Sequence, residues 1–120
     1  MPLIAIEYSK TTILPADARA FLKGLHSVVH NTIDADFNSI KSWLCPHQQF
    51  LIGNQAQDAA GYMLLNIHIM QGRTMDEKTQ LGEKLLDYLK QVILPLNASH
   101  EVQLRVKVDE ISQQSYFAYG

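Results

Sequence analysis

The second residue of this chain is a proline that opens a short apolar run, Met1-Pro2-Leu3-Ile4-Ala5-Ile6-Glu7-Tyr8, and its chemistry depends on whether anything precedes it. Inside a chain, proline has neither an N–H nor a basic nitrogen. An initiator methionine is ordinarily trimmed when proline follows. The chain is therefore expected to begin at Pro2, whose nitrogen then becomes a secondary amine held stiffly by its ring. Free α-amino groups titrate near about 7.7 to 8.0, and an apolar pocket lowers that value, so such a nitrogen can serve as a general base at neutral pH. The ordinary alternative is a strand start at a sheet edge, where proline is tolerated without any chemical role.

Two cations occupy matching places. Ser9-Lys10-Thr11 leaves the first strand-like run and Gly72-Arg73-Thr74 leaves a later one, each setting a positive charge at a strand exit. A further row, Arg19, Lys23, His26 and His30, recurs at about the helical period of 3.6 residues and could grip an anion, although a solvated basic flank is the commoner reason for such a row. His26 and His30, four apart, and the near pair Cys45 and His47 have side chains that bind metals. No motif places a third or fourth ligand, so no metal site is expected. Cys45 as a nucleophile would need His47 as its base, and in an extended segment residues two apart share a face without meeting properly. His68 and Asn66 lie on the same side of a strand as Tyr62 and Leu64, where they could line a pocket or sit satisfied in a core or interface. The chain has no Gly-rich phosphate loop and no serine nucleophile elbow.

These residues need a scaffold, and the composition bounds it. One hundred and twenty residues, 47% hydrophobic and 18% charged, make one globular domain spanning 1–120. With a net charge of -2 and its ten lysines and arginines scattered, the chain shows no electrostatic footprint for nucleic acid and none for a membrane surface. The single cysteine excludes an internal disulfide, and the opening run is too short for a signal peptide. The cytoplasm is the expected compartment. Tyr62 to Met70, the longest apolar run, is about half the ~20 residues a membrane helix requires.

Periodicity sets the elements. Pro2 to Tyr8 is a strand, apolar enough to be covered on both faces. Ala18, Phe21, Leu22, Leu25, Val28, Val29 and Ile33 fall on one face of a helix over Pro15 to Ile33, with Pro15 in its first turn. Phe37 to Cys45 reads as a second strand. Pro46 to Ala60 is turn chemistry around Phe50-Leu51-Ile52, with Gly53-Asn54-Gln55 and Asp58. Gly61 to Met70 is a central strand. Thr74 to Glu77 matches a capping box, opening a helix whose buried face is Leu81, Leu85, Leu89, Val92, Ile93 and Leu96, with Gly82 allowing a close approach to the sheet. Val102, Leu104, Val106 and Val108 alternate with polar residues as a strand with one wet face. The tail, with Tyr116, Phe117 and Tyr119, carries enough aromatic surface to dock on another subunit. The order is strand, helix, strand, twice over. Two βαβ units with right-handed crossovers make an α/β (α+β) fold, a four-stranded mixed sheet with both helices on one face. The other face is left bare, and oligomerisation is the usual remedy.

A Met-Pro start on a strand, two βαβ halves and a Gly72-Arg73 exit before a capped helix together resemble the tautomerase superfamily. Within it, the length and the segment Ile6-Glu7-Tyr8-Ser9 are most similar to 5-carboxymethyl-2-hydroxymuconate isomerase, over Pro2 to about Ile111. The resemblance implies a homotrimer, an isomerase of aromatic-compound catabolism that needs no metal or organic cofactor, and a small enol or dicarboxylic acid as the molecule it acts on. Pro2 maps onto the base, and Arg73 onto the arginine that holds the substrate at the strand exit. Where the isomerase typically shows Ile-Arg-Ser-Arg, this chain reads Ile40-Lys41-Ser42-Trp43. Lys41 keeps the charge but not the bidentate fork, and Trp43 keeps neither; Trp43 and Lys10 are candidates to line the pocket. A less cationic, more aromatic site suits a smaller enol acid such as an arylpyruvate. The alternative is a non-catalytic trimer of the same fold that binds a small acid, and a ferredoxin-like regulatory domain would instead be a dimer.

Overall fold

The computed structural model describes residues 2–54 and 60–120; Met1, and with it the expected trimming, and the Gln55 and Asp58 turn lie outside them. The first apolar run forms β1 (Leu3–Ser9). Its Ile4 and Ile6 are fully buried, while Leu3 and Ala5 are only partly covered and Glu7 is exposed. The first helix, α1 (Ala18–Ile33), starts three residues later than the spacing predicts, because the Asp17 carboxylate accepts from the Ala20 N–H and caps it there. Pro15 therefore belongs to the approach. Phe21, Leu25, Val29 and Ile33 are its buried stripe.

The second strand is displaced from its predicted limits. Phe37–Ser39 forms a single 3-10 turn, with the Asp36 carboxylate accepting from the Asn38 N–H, and β2 runs over Lys41–His47. Phe37 stacks on His30 of α1, with ring centroids 4.0 Å apart, so its ring belongs to the helix side of the turn. Pro46 sits within β2 without penalty because β2 is an edge strand. Beyond it, Phe50 covers a neighbour, meeting the Tyr62 ring edge-on at 5.7 Å.

β3 (Ala60–Met70) buries Met63, Leu65, Ile67 and Ile69. The capping box forms as read: the Glu77 N–H donates to Thr74 Oγ1 at 3.1 Å and the Thr74 N–H to Glu77 Oε1 at 3.0 Å. It opens α2 (Met75–Ile93), whose Leu81, Leu85, Leu89 and Ile93 are fully buried. Asn97, just past its end, donates to the Ile93 and Ile13 carbonyls and accepts from the Ile13 N–H, tying the approach of α1 to the end of α2. The last strand is β4 (Glu101–Ile111). The tail leaves Phe117 and Tyr119 in the open.

Sheet order is β2-β1-β3-β4, with β1 parallel to β2, β3 parallel to β4, and the two inner strands antiparallel. Each βαβ unit supplies one inner strand and one edge strand, and the fold is the mixed α+β sheet expected. Odd-numbered residues of β3 meet the buried stripes of both helices in one core. On the other face stand Leu3, Ala5 and Glu7, with Trp43 46% and Leu64 39% exposed. Among the described residues no helix is long and apolar enough to cross a membrane.

Candidate active site

Because β1 and β3 run antiparallel, the start of one lies beside the end of the other: Leu3 pairs with His68. Pro2 therefore sits beside the exit of β3. That exit turns at Gln71-Gly72, where Gly72 takes φ 118°, a conformation open to glycine and strained for other residues. The turn presents Arg73, and the capping box behind it fixes the start of α2. Together they enclose a cavity of about 620 Å³ lined by Pro2, Ile69, Gly72, Arg73 and Glu77, and closed on the α1 side by Asp34, Asp36 and Ser39. Pro2 itself is buried.

The charge of this cavity is uneven. Arg73 shares the cavity with the carboxylates of Asp34, Asp36 and Glu77, and Glu77 Oε2 is 3.5 Å from its guanidinium. The Thr74 backbone N–H, helped by the Thr74 hydroxyl and Arg73, holds the Glu77 carboxyl below its ordinary range against the opposing effect of desolvation. It is thus an anion at neutral pH, and Arg73 is already half engaged. Asp36 is occupied with the Asn38 N–H, and Asp34 ends α1 in the left-handed region with its N–H donating to the His30 carbonyl.

Of the sequence-predicted site residues, the structure brings Pro2 and Arg73 to one cavity. Lys41 abuts Pro2 through its backbone, its N–H donating to the Pro2 carbonyl at 3.0 Å, but the register sets its side chain beside Leu3 on the face away from the helices. The orientation of β2 is fixed by Ser42, which turns the other way and meets His26 Nε2 of α1 at 2.7 Å. Trp43, opposite Ala5, shares the open face with Lys41. Lys10 leaves the far end of β1, more than about 20 Å along the strand from Pro2, with its N–H on the His47 carbonyl. The helical row also divides. His30 contacts the Ala35 carbonyl, whereas Arg19, Lys23 and His26 line a separate recess with Ser42. The three carboxylates of the cavity were missed as site residues. Glu77 was legible as a cap, and its spacing of four from Arg73 was the unused signal; Asp34 and Asp36 read only as turn formers.

A family model for 5-carboxymethyl-2-hydroxymuconate isomerase matches residues 2–118. The chain belongs to the 5-carboxymethyl-2-hydroxymuconate isomerase family. Members of this family and of the wider tautomerase group are also its structural neighbours. A crystal structure of a 5-carboxymethyl-2-hydroxymuconate isomerase from Deinococcus radiodurans R1 superposes with a TM-score of 0.87 at 18% identity, covering 99% of this chain and 89% of that one. A 5-carboxymethyl-2-hydroxymuconate delta-isomerase gives 0.84 at 20%, covering 100% and 88%. A fused 4-OT wild-type protein, Q0, described as a symmetric trimer gives 0.77 at 20%, covering 98% and 92%. At these identities the likeness speaks for the fold. No curated protein sequence matches significantly.

Proposed function

We propose that this family member is an isomerase that moves a proton within a small enol or dienol acid, with the N-terminal amine of Pro2 as the base and Arg73 as the group that holds the substrate carboxylate. The observation that carries this reading is the cavity that unites Pro2 with Arg73. In the ketonisation of an enol, the amine takes the hydroxyl proton as the carbonyl forms, and the resulting ammonium delivers a proton to the neighbouring carbon. Arg73 stabilises the enolate between the two transfers. The chemistry requires Pro2 to be the first residue, and no cofactor enters it.

The cavity also bears on the substrate. One guanidinium among three carboxylates suits an acid with a single carboxylate, such as an arylpyruvate enol, better than a diacid. We assign the protein a homotrimeric state, supported by the open sheet face with Trp43 and Leu64, the exposed tail aromatics, and the trimeric assembly given for the fused 4-OT neighbour. In a trimer, Lys10, Lys41 and Trp43, which do not reach the Pro2 cavity of their own chain, serve the cavity of a neighbour. Cytoplasmic breakdown of aromatic compounds is the setting this chemistry fits.

The test is the ketonisation rate of an arylpyruvate enol by untagged protein whose mass shows Pro2 to be first, run beside Pro2→Ala. General-base catalysis contributes about 10²–10⁴-fold, and a loss toward the lower end of that range is expected in the variant, whose primary amine lacks the ring that fixes the base. Equal rates for the two proteins across neutral pH would leave the non-catalytic acid-binding trimer as the better account.

A further inference from the structure

The end of the sheet away from Pro2 gathers three metal-ligating side chains. The parallel register sets Glu7 of β1 beside Cys45 of β2, and His47 follows two residues along the same strand. One ligand atom from each of Glu7, Cys45 and His47 lies within 4.8 Å of the other two. The imidazole is already aimed. Its Nε2 is 2.8 Å from Glu7 Oε1, and its Nδ1 is 2.5 Å from the Tyr62 hydroxyl, while Phe50 packs edge-on against the Tyr62 ring. Cys45 is a free, exposed thiol.

We propose that Glu7, Cys45 and His47 form a binding site for a borderline-soft divalent cation, Zn²⁺ foremost, with a fourth position open to water. A thiolate, an imidazole nitrogen and a carboxylate are a donor set that suits Zn²⁺ and not the oxygen-seeking Mg²⁺ or Ca²⁺. Bonds of about 2.0–2.3 Å set tetrahedral ligand atoms roughly 3.3–3.8 Å apart, so the three groups need only sub-ångström to one-ångström adjustments, which rotamer changes outside the chain's own core can supply. The cation takes the lone pair of Nε2, between the imidazole and Glu7, in the neutral tautomer whose ring proton sits on Nδ1. The thiol releases its own proton, and the two negative ligands balance the two positive charges. The Tyr62 contact at Nδ1 then acts as the outer hydrogen bond that orients a metal-bound imidazole. Cys45-Pro46-His47 shows two of these ligands in the sequence. The third comes only from the β1–β2 register, which is why no metal site was expected there.

The site does not depend on the isomerase reading. Glu7 stands five residues along β1 from Pro2, about 17 Å at strand rise, and its test needs no turnover. Metal-free full-length protein is titrated with Co²⁺ by absorbance and with Zn²⁺ against a chromophoric chelator, alongside Cys45→Ser and His47→Gln. We expect one ion per chain, a near-ultraviolet thiolate-to-Co²⁺ band that Cys45→Ser abolishes, and Zn²⁺ affinity at least tenfold weaker in each variant, with circular dichroism unchanged. A Co²⁺ spectrum without the thiolate band, or Zn²⁺ binding that survives both substitutions, overturns the proposal. The second outcome would move the metal to other donors, such as the N-terminal amine.

Discussion

On the proposed function Glu77 competes with substrate for Arg73, and removing its charge should then improve turnover at low substrate. Glu77→Gln is the substitution that isolates this effect, because a glutamine carbonyl can still accept the Thr74 N–H and complete the capping box. The Arg73–Glu77 pair spans 3.5 Å with both side chains more than a third exposed, a setting in which solvent screening leaves four-apart pairs weak. Releasing the guanidinium is thus expected to strengthen its grip on a carboxylate about twofold. A substrate carboxylate seated on Arg73 also lies near Glu77, and relief of the repulsion between like charges a few ångströms apart in water adds up to roughly fivefold more. Arylpyruvate ketonisation should show KM falling about two- to tenfold with kcat little changed, since Pro2 is untouched. Loss of a negative charge at the helix N-terminus also weakens the fold slightly, readable as a lower urea midpoint. A KM that stays level or rises while the urea midpoint barely moves would refute the competition and place the substrate carboxylate elsewhere.

Gly61→Ala should destabilise the protein by about 2 kcal/mol or more through overpacking and lost hydrogen bonds. Its Cβ would come within 2.6 Å of Thr12 Oγ1 and 3.1 Å of Ser9 Oγ, hydroxyls that bond the Tyr62 carbonyl and N–H; a urea midpoint indistinguishable from that of the parent would contradict this. Burial holds the His26 imidazole below its ordinary value of 6.5. The unfolded chain therefore takes up a proton first as pH falls, and stability should begin to decline below about 6.5. That segment of the stability curve flattens in His26→Gln, whereas the decline tied to Glu77 belongs below 4.5, its ordinary value.

Elements whose signals are local could be read from the sequence. The capping box at Thr74, the alternation from Val102 to Val108 and the stripe from Phe21 to Ile33 each depend on neighbours within a turn or two, and each appears where the pattern puts it. Misplacements occur where a single side chain decides the boundary: Asp17 starts α1 after Pro15, and Asp36 turns Phe37 out of β2. Gly82 was read as the point of close approach, yet a Cβ there would meet Val108 Cγ2 at 3.7 Å, an ordinary contact; it is Gly24 whose Cβ would collide with the Tyr88 phenol. Such approaches depend on how two elements cross, which no local pattern encodes. The candidate site divides in the same way. Pro2 and Arg73 stood out by residue type and position. The carboxylates around Arg73, and the meeting of Glu7 with Cys45, arise from strand register and from the antiparallel pairing of β1 with β3.

That antiparallel pairing gives the molecule two ends of similar outline and unequal chemical means. The first half enters its inner strand at Pro2, where the proposed trimming frees an amine; the second enters at Ala60, in mid-chain, where the nitrogen is an amide. On the proposed function such a body has one reactive pole and one silent pole, and the proposed trimer has three of each. At the silent pole no main-chain nitrogen is a base. That pole has room for a second trade, and Glu7, Cys45, His47 and Tyr62 stand there.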